Sequence, residues 1–182
     1  MLKKINFLFI PLLLFCFFCL ILYRGLFNDP KVVSSPLLGK QVPNISYPVL
    51  NQAIGEINIK DIDGPYLINI FASWCLPCVE ELPVLINEKN KNRVKIIGVN
   101  YKDDPVSANN WLATYGNPYD VVLFDKDGMK SIDLGVYGVP ETFFIDTNKM
   151  IKDKKIGVLD AKFVSDNLWI IFFLFFSFLI YI

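Results

Sequence analysis

Residues 66–81 read YLINIFASWCLPCVEE, and the fold prediction starts from this stretch. Its first six residues, Tyr66–Phe71, form an apolar run with the length of a buried strand. The residues Val79–Glu88 have the spacing of an amphipathic helix. Between the two stand Cys75 and Cys78, so we expect Cys75 close to the helix N-terminus, where the partial positive charge of the helix favours a thiolate.

The spacing of Cys75 and Cys78 supplies two thiols with different roles. Cys75, at the end of the strand and near the surface, attacks a partner disulfide as a thiolate and forms a mixed disulfide. Cys78, one helical turn further and less accessible, then attacks Cys75 and releases the reduced partner. Pro77 suits a first helical turn. Half of a zinc site and a structural disulfide remain alternatives, although zinc would need two more cysteine or histidine ligands and so small a disulfide loop stabilises little.

A second pair with the same spacing, Cys16 and Cys19, lies inside an apolar segment near the N-terminus. Hydrocarbon surroundings disfavour the thiolate, so we interpret these two cysteines as lipid-facing or packing residues. The chain has no histidine. Histidine zinc sites, serine or cysteine triads and haem attachment through Cys-x-x-Cys-His are therefore excluded.

Apolar and amphipathic segments alternate on both sides of the cysteine pair. The order is strand, helix, strand, helix and then further strands. This order predicts an α/β fold with a mixed central sheet flanked by helices. The predicted helices are Val79–Glu88 and Pro105–Tyr115. The predicted strands are Tyr66–Phe71, Val94–Val99, Val121–Phe124, Thr142–Asp146 and Met150–Ile156.

Both ends of the chain are far more apolar than its middle. As a helix, Ile5–Tyr23 would cover about 28 Å, close to the roughly 30 Å of a bilayer core. Only Gly25 offers a small residue near a cleavage position, so we expect an uncleaved anchor. A second membrane contact, a buried helix and a reading-frame accident all fit the C-terminal tail. The expected segments are an anchor over residues 1–27, a linker over 28–40, a soluble domain over 41–167 and a hydrophobic tail over 168–182.

The charges are unevenly distributed, although the formal net charge of the chain is zero. Residues 1–27 carry three basic groups and no acidic group, whereas residues 28–167 carry 15 basic and 18 acidic groups. Such a mildly acidic domain gives no sign of nucleic-acid binding. Basic residues stand on both sides of the expected anchor, so charge alone does not decide its orientation.

Several motifs together resemble one protein family. Phe71–Cys78 before a helix is similar to the active site of thioredoxin-fold proteins. Gly135–Phe143, GVYGVPETF, closely resembles the fingerprint of the CcmG/DsbE family, the membrane-anchored thiol:disulfide proteins of cytochrome c maturation. Asn100–Asp104, NYKDD, and Gly116–Tyr119, GNPY, are similar to the middle segment of that family. The resemblance covers about residues 38–160.

The resemblance implies a thioredoxin-like fold with an N-terminal hairpin and a central insert, on an inner-membrane anchor with the catalytic domain in the periplasm. It implies that electrons from a membrane thiol donor pass through Cys75 and Cys78 and reduce the haem-binding cysteines of apocytochrome c. This reduction is direct or runs through another maturation protein, and no cofactor takes part. By the same analogy, the Val139–Pro140 peptide is cis, and Trp74, Val139 and Pro140 bind the partner.

The resemblance also places acidic site residues at Glu81 and Glu141. Taken alone, Glu81 fits a solvated helix face, and the neighbouring Glu80 is the more natural solvent residue. Asn69 occupies the strand position at which thioredoxins carry a buried acid, and an amide cannot titrate. We therefore hypothesise that Glu81 or Glu141, with a raised pKa, activates Cys78.

Two other functions remain open for the same residues. A general periplasmic disulfide oxidase or reductase would share the thiol chemistry, and an oxidase would need a high reduction potential. A binding module would hold apocytochrome in a groove, with the thiols incidental.

Overall fold

The structure is a computed structural model that describes residues 2–26, 36–51 and 55–168. The chain divides into two compact units, Met1–Ser34 and Ser35–Ile182. Among the described residues, the first unit contains one helix, and the second contains all the strands and the cysteine pair at residues 75 and 78.

Helix α1 spans Leu2–Leu26 and has Pro11 inside it. The side chains of residues 9–25 are exposed, and Cys16 and Cys19 are free thiols. Of the helices whose residues the structure describes, none is long and apolar enough to meet the requirements of a membrane span. The anchor and linker expected from the sequence stay predictions, and residues 28–35 of that linker lie outside the described ranges.

The second unit begins with a small antiparallel hairpin. Its strands are β1 (Ser46–Pro48) and β2 (Glu56–Asn58), with Tyr47 opposite Ile57 in the register. Tyr47 is fully buried, which ties the hairpin to the rest of the unit. The hairpin lies where the resemblance implies one.

A five-stranded sheet forms the centre of this unit. Its middle strand, β3 (Tyr66–Phe71), is buried along its whole length. Strand β4 (Lys95–Tyr101) pairs parallel with β3, and β6 (Glu141–Ile145) pairs antiparallel on its other side. The outermost strands are β5 (Val121–Asp125) next to β4 and β7 (Ile151–Ile156) next to β6. The mixed sheet predicted from the sequence is confirmed.

Four helices follow strands of the sheet within the described part of this unit. Helix α2 (Leu76–Lys91) follows β3, and α3 (Pro105–Tyr115) follows β4. The carboxylate of Asp104 caps α3 by accepting the Ser107 N–H at 2.9 Å. A short helix, α4 (Met129–Asp133), follows β5, and a last helix, α5, is described over residues 161–168.

Successive residues of β3 point to opposite faces of the sheet and so belong to two different cores. Leu67 and Phe71 face the core formed with α2 and α3. Tyr66, Ile68 and Ile70 face the core formed with the hairpin and the residue after α4, Leu134. A strand buried on both faces explains why its sequence is an apolar run rather than an alternating one.

Most of the predicted elements are present, with shifted ends. Tyr66–Phe71 and Pro105–Tyr115 were predicted residue for residue. Helix α2 begins three residues before the predicted start, because Pro77 occupies its first turn, where a missing N–H costs nothing. Helix α4 was not predicted, since five residues are too few to show a helical period. With β5 it lies between α3 and β6, and the central insert implied by the resemblance stays a prediction.

The hydrophobic tail begins inside a described helix. Leu168, its first residue, is buried in the core with Leu159 and Val164. Residues 169–182 lie outside the described ranges, so the three interpretations of the tail stay open.

Candidate active site

The two cysteines of residues 75–78 form a disulfide at the start of α2, with their Cα atoms 5.4 Å apart. Cys75 is the N-cap of α2, and its Sγ accepts the backbone N–H of Cys78 at 3.2 Å. A sulfur at this position lies in the positive field of the helix terminus and next to a hydrogen-bond donor, and both stabilise a thiolate after reduction. The expected position of Cys75 at a helix N-terminus is confirmed.

The two cysteines differ less in solvent accessibility than the sequence predicts. Cys75 is 3% exposed and Cys78 is 1% exposed, so the prediction that Cys75 lies near the surface was wrong for this disulfide form. The Cys75 sulfur lies at the start of α2, where it accepts the Cys78 N–H. The residues that do reach solvent are its chain neighbours, Trp74 at 58% and Leu76 at 78%.

The Val139–Pro140 peptide, which leads into β6, is cis, as the resemblance implies. Ile70 lies opposite Glu141 in the β3–β6 register, so Pro140 stands beside the end of β3, from which the cysteine loop departs. Pro140 is buried and Val139 is half-buried. The structure thus brings these residues to the same end of the sheet as the disulfide, and their role in partner binding stays a prediction.

Glu81 is fully buried, which corrects its interpretation as part of a solvated helix face. It lies three residues after Cys78 on α2, a spacing that puts both side chains on one face of the helix. Its Oε1 accepts the Asn69 side-chain amide at 2.7 Å, and its Oε2 accepts the Leu159 N–H at 3.0 Å. Burial raises the pKa of Glu81 to about 7, although these two hydrogen bonds lower it. Glu80 is exposed, as expected.

Asn69 connects Glu81 to the rest of the core. Its amide nitrogen also donates to Thr142 Oγ1 at 3.0 Å, and its Oδ1 accepts the Tyr119 hydroxyl at 2.7 Å. Burial, and then the nearby Glu81 charge, raise the pKa of Tyr119, so this hydroxyl remains a donor. Sequence reasoning missed Tyr119 and Thr142. The signal was Asn69 itself, since an amide in a buried strand requires hydrogen-bond partners.

Glu141 is also buried, in a different environment. Its Oε1 accepts the N–H groups of Tyr137 and Gly138 at 3.0 and 3.2 Å. Its Oε2 lies 2.9 Å from Nζ of Lys154, whose side chain is 2% exposed and also donates to the Gly135 carbonyl at 2.7 Å. Sequence reasoning missed Lys154, because β7 carries three lysines and nothing in the sequence marks the buried one. Glu141 therefore holds the loop before Pro140 in place.

Within the described ranges, no three histidine, cysteine, aspartate or glutamate side chains form a group that could hold a metal ion. The zinc alternative for Cys75 and Cys78 accordingly finds no further ligands among these residues.

Comparison with known proteins agrees with the site geometry. Residues 38–154 match the AhpC/TSA family. The "Thiol:disulfide interchange protein DsbE" of Pseudomonas fluorescens biotype C is 42% identical over 162 residues, which are 87% of this chain and 89% of the relative. The protein of the same name from Escherichia coli strain K12 is 41% identical over 138 residues, 74% of each chain.

Solved structures share the fold. A secreted thiol-disulfide isomerase of Corynebacterium glutamicum gives a TM-score of 0.62 at 20% identity, covering 78% of this chain and 93% of that one. A secreted disulfide oxidoreductase of Mycobacterium tuberculosis, described as homologous to E. coli DsbE, gives 0.57 at 18% identity, covering 69% and 94%. At these identities the likeness establishes the thioredoxin-like fold alone.

The thioredoxin-like sheet, the disulfide at the N-terminus of α2 and the closely related sequences lead to one assignment. The chain is a thiol:disulfide oxidoreductase that belongs to the AhpC/TSA family and to the DsbE family of thiol:disulfide interchange proteins.

Proposed function

We propose that this oxidoreductase is a membrane-anchored periplasmic reductant of the haem-binding cysteines of apocytochrome c, acting directly or through a maturation partner. The observation that carries the proposal is the Cys75 sulfur at the N-cap of α2, where it accepts the Cys78 N–H in a DsbE-family chain. The resemblance of residues 135–143 to the CcmG/DsbE fingerprint supports the cytochrome pathway.

The proposed reaction moves two electrons and starts from the reduced protein. The Cys75 thiolate attacks one sulfur of the partner disulfide, a new S–S bond forms, and the other partner sulfur leaves as a thiolate that takes up a proton. Cys78 then loses its proton and attacks Cys75, which releases the second partner sulfur. The product is the Cys75–Cys78 disulfide present in the structure. A membrane thiol donor returns the pair to the dithiol.

Glu81 is the better candidate for the base that takes the proton of Cys78. It shares a helix face with Cys78, and its pKa of about 7 lets it accept a proton near neutrality. Glu141 interacts with Lys154 and two backbone N–H groups, contacts that serve the loop before Pro140. We assign proton transfer to Glu81 and loop positioning to Glu141.

The partner peptide would lie across the end of the sheet that holds the disulfide. Trp74 offers an exposed ring next to Cys75, and its indole N–H already donates to the Lys102 carbonyl at 2.9 Å. Val139 and Pro140 offer backbone for pairing with an extended segment. An unfolded apocytochrome can present its cysteines in such an extended segment.

The proposed anchor rests on the apolar sequence of residues 5–23, and the proposed periplasmic location rests on the resemblance to the CcmG/DsbE family. Residues 1–27 would anchor the chain in the inner membrane, with residues 28–40 as the tether and residues 41–167 as the periplasmic domain. A membrane-impermeant maleimide added to intact spheroplasts should then label reduced Cys75.

The central test is to trap the partner on a Cys78→Ala variant. Without Cys78 the second attack cannot occur, so the mixed disulfide with the partner should accumulate and be visible on a non-reducing gel. Release by dithiothreitol and mass spectrometry should identify a haem-binding cysteine of apocytochrome c or a thiol of a maturation protein.

Two variants serve as controls for this trap. Cys75→Ser together with Cys78→Ala should trap nothing, and Cys19→Ala, the matched change in the other cysteine pair, should leave cytochrome maturation intact. Normal maturation with Cys75→Ser would instead support the binding module. A strongly oxidising potential of the Cys75–Cys78 couple, measured in glutathione buffers, would favour the general oxidase.

A further inference from the structure

The loop after β4 lies directly beside the cysteine loop. Strands β3 and β4 are parallel, and their register pairs Phe71 with Asn100, so both strands end at the same height. The chain then continues as residues 72–75 on one side and 101–104 on the other. The NYKDD motif at residues 100–104, which the proposed chemistry does not use, therefore stands next to the active cysteines.

The Asp103 carboxylate holds the cysteine loop through Ser73. Its Oδ2 accepts the Ser73 backbone N–H at 2.6 Å, and its Oδ1 accepts the Ser73 hydroxyl at 2.7 Å. Two more donors are the side-chain amide of Asn100, near the end of β4, at 2.8 Å and the Asp104 N–H at 2.8 Å. Burial raises the pKa of Asp103, but the four hydrogen bonds together outweigh burial, so the pKa lies below its ordinary value. The carboxylate is therefore ionised near neutrality.

Trp74 provides a second attachment between the same two loops. Its indole N–H donates to the Lys102 carbonyl at 2.9 Å, while 58% of the side chain remains exposed. Lys102 has a positive φ of 48°, and its N–H donates to the Asp125 carbonyl at 2.9 Å, which fixes the direction of its peptide. Gly128 packs against this turn so closely that a Cβ there would lie 2.5 Å from the Tyr101 ring.

We propose that Asp103 is a positioning residue, which acts through Ser73 to hold the exposed Trp74 ring and the Cys75 sulfur in one fixed arrangement for the partner. Ser73 and Trp74 immediately precede Cys75, and each is tied to the loop at residues 101–104 by hydrogen bonds. A partner peptide then meets a ring and a sulfur whose separation is already set, and the entropy of ordering them is not lost on binding. The inference rests on the proposed attack by Cys75.

The test compares Asp103→Asn with Asp104→Asn in the full chain in detergent micelles. Both changes remove one negative charge, but only Asp103 contacts Ser73, and asparagine is as good an N-cap for α3 as Asp104. The reduced proteins react with dithiobis(nitrobenzoic acid), a small disulfide, and with an oxidised peptide that contains Cys-x-x-Cys-His. We expect Asp103→Asn to slow the peptide reaction at least tenfold and the small-disulfide reaction less than threefold.

A purely structural role would lower both rates together with the folded fraction and would leave their ratio unchanged. A second readout needs no substrate: hydrogen exchange of the Trp74 indole N–H, assigned with Trp74→Phe, should be at least tenfold faster in Asp103→Asn than in Asp104→Asn. Ser73→Ala, which keeps the backbone bond, should fall between.

An unchanged rate ratio or unchanged indole exchange in Asp103→Asn overturns the inference. If the wild-type chain reduces the small disulfide but not the peptide, the proposed function fails instead, and the indole exchange still decides whether Asp103 holds Trp74.

Discussion

Glu81 shows how hydrogen bonds reduce the cost of burying a carboxylate. An ionised carboxylate in a core costs several kcal/mol unless hydrogen bonds compensate, and here two donors, from Asn69 and Leu159, compensate in part. The resulting pKa of Glu81 is about 7, so the carboxyl group is partly protonated and partly ionised near neutrality. Asn69 cannot carry a proton itself, and its contacts with Tyr119 and Glu81 orient the amide so that its NH₂ faces the carboxylate.

The kinetic prediction concerns Glu81→Gln. The wild-type rate at which Cys78 attacks the mixed disulfide should rise with pH through about 7, as Glu81 ionises. The variant should lose this dependence and react about 100-fold more slowly, since general-base catalysis contributes roughly that much. Stopped-flow measurement of thiol release from a preformed mixed disulfide on Cys75 measures this step.

Glu80→Gln is the matched control, because Glu80 is the exposed neighbour on the same helix. It should retain both rate and pH profile. If Glu81→Gln and Glu141→Gln both leave Cys78 deprotonation and the exchange rate unchanged, neither carboxylate activates the thiol.

At the level of elements, strand β7 supports the loop that precedes β6. Lys154 of β7 reaches the Gly135 carbonyl and Glu141, and its ammonium lies 4.4 Å from the centre of the Tyr137 ring and 5.0 Å from that of Phe143. The Lys154 ammonium thus contacts the Glu141 carboxylate, the Gly135 carbonyl and two aromatic rings. Removing it would take a partner from each of these groups. Side chains of β6 and β7 thus help to fix the loop from residue 135 to residue 140.

Lys154→Met should therefore lower the free energy of unfolding by about 3–5 kcal/mol, because it leaves the Glu141 charge buried without its partner. Urea denaturation followed by circular dichroism measures the change. Lys155→Met is the control: Lys155 pairs with Asp160 at the surface, and such pairs contribute about 1 kcal/mol or less. Equal losses in the two variants would contradict the buried pair.

The sequence predicts elements best where a single physical requirement determines them. Tyr66–Phe71 is apolar except at Asn69 because both faces of β3 are covered, and Pro77 permits a helix that begins directly after Cys75. By contrast, the burial of Lys154 and of Glu81 depends on chain segments more than 12 residues away. A periodic pattern records which face of an element is apolar, and it does not record which distant strand will supply a partner for a charge.

At the scale of the whole molecule, the raised pKa of Glu81 links folding to pH. The folded protein holds this proton up to a pH of about 7, whereas the ordinary value of 4.5 applies to the unfolded chain. The stabilising contribution of protonated Glu81 is therefore complete below pH 4.5 and is lost as the pH rises through about 7. The full loss is about 3 kcal/mol at 1.36 kcal/mol per pKa unit.

Wild-type unfolding free energy, measured in urea, should thus decrease between pH 5 and pH 8 through this residue. In Glu81→Gln, this decrease should shrink by most of that amount, because the amide does not titrate. The exposed Glu80→Gln should behave as wild type. An equal pH dependence in wild type and Glu81→Gln would show that Glu81 keeps an ordinary pKa in the folded chain.

The strand order makes β5 and β7 the two edge strands of the central sheet. A sheet edge with free N–H and C=O groups invites a strand from a second molecule. On the β5 side, Val49 bridges to Leu123 and the Leu50 N–H donates to Val122, so the chain occupies its own edge. On the β7 side, the Gly39 N–H donates to the Ile151 carbonyl and the Ile151 N–H donates to the Lys40 carbonyl, so residues 39–40 occupy part of that edge. Both edges of the central sheet are therefore partly closed to a strand from a second copy.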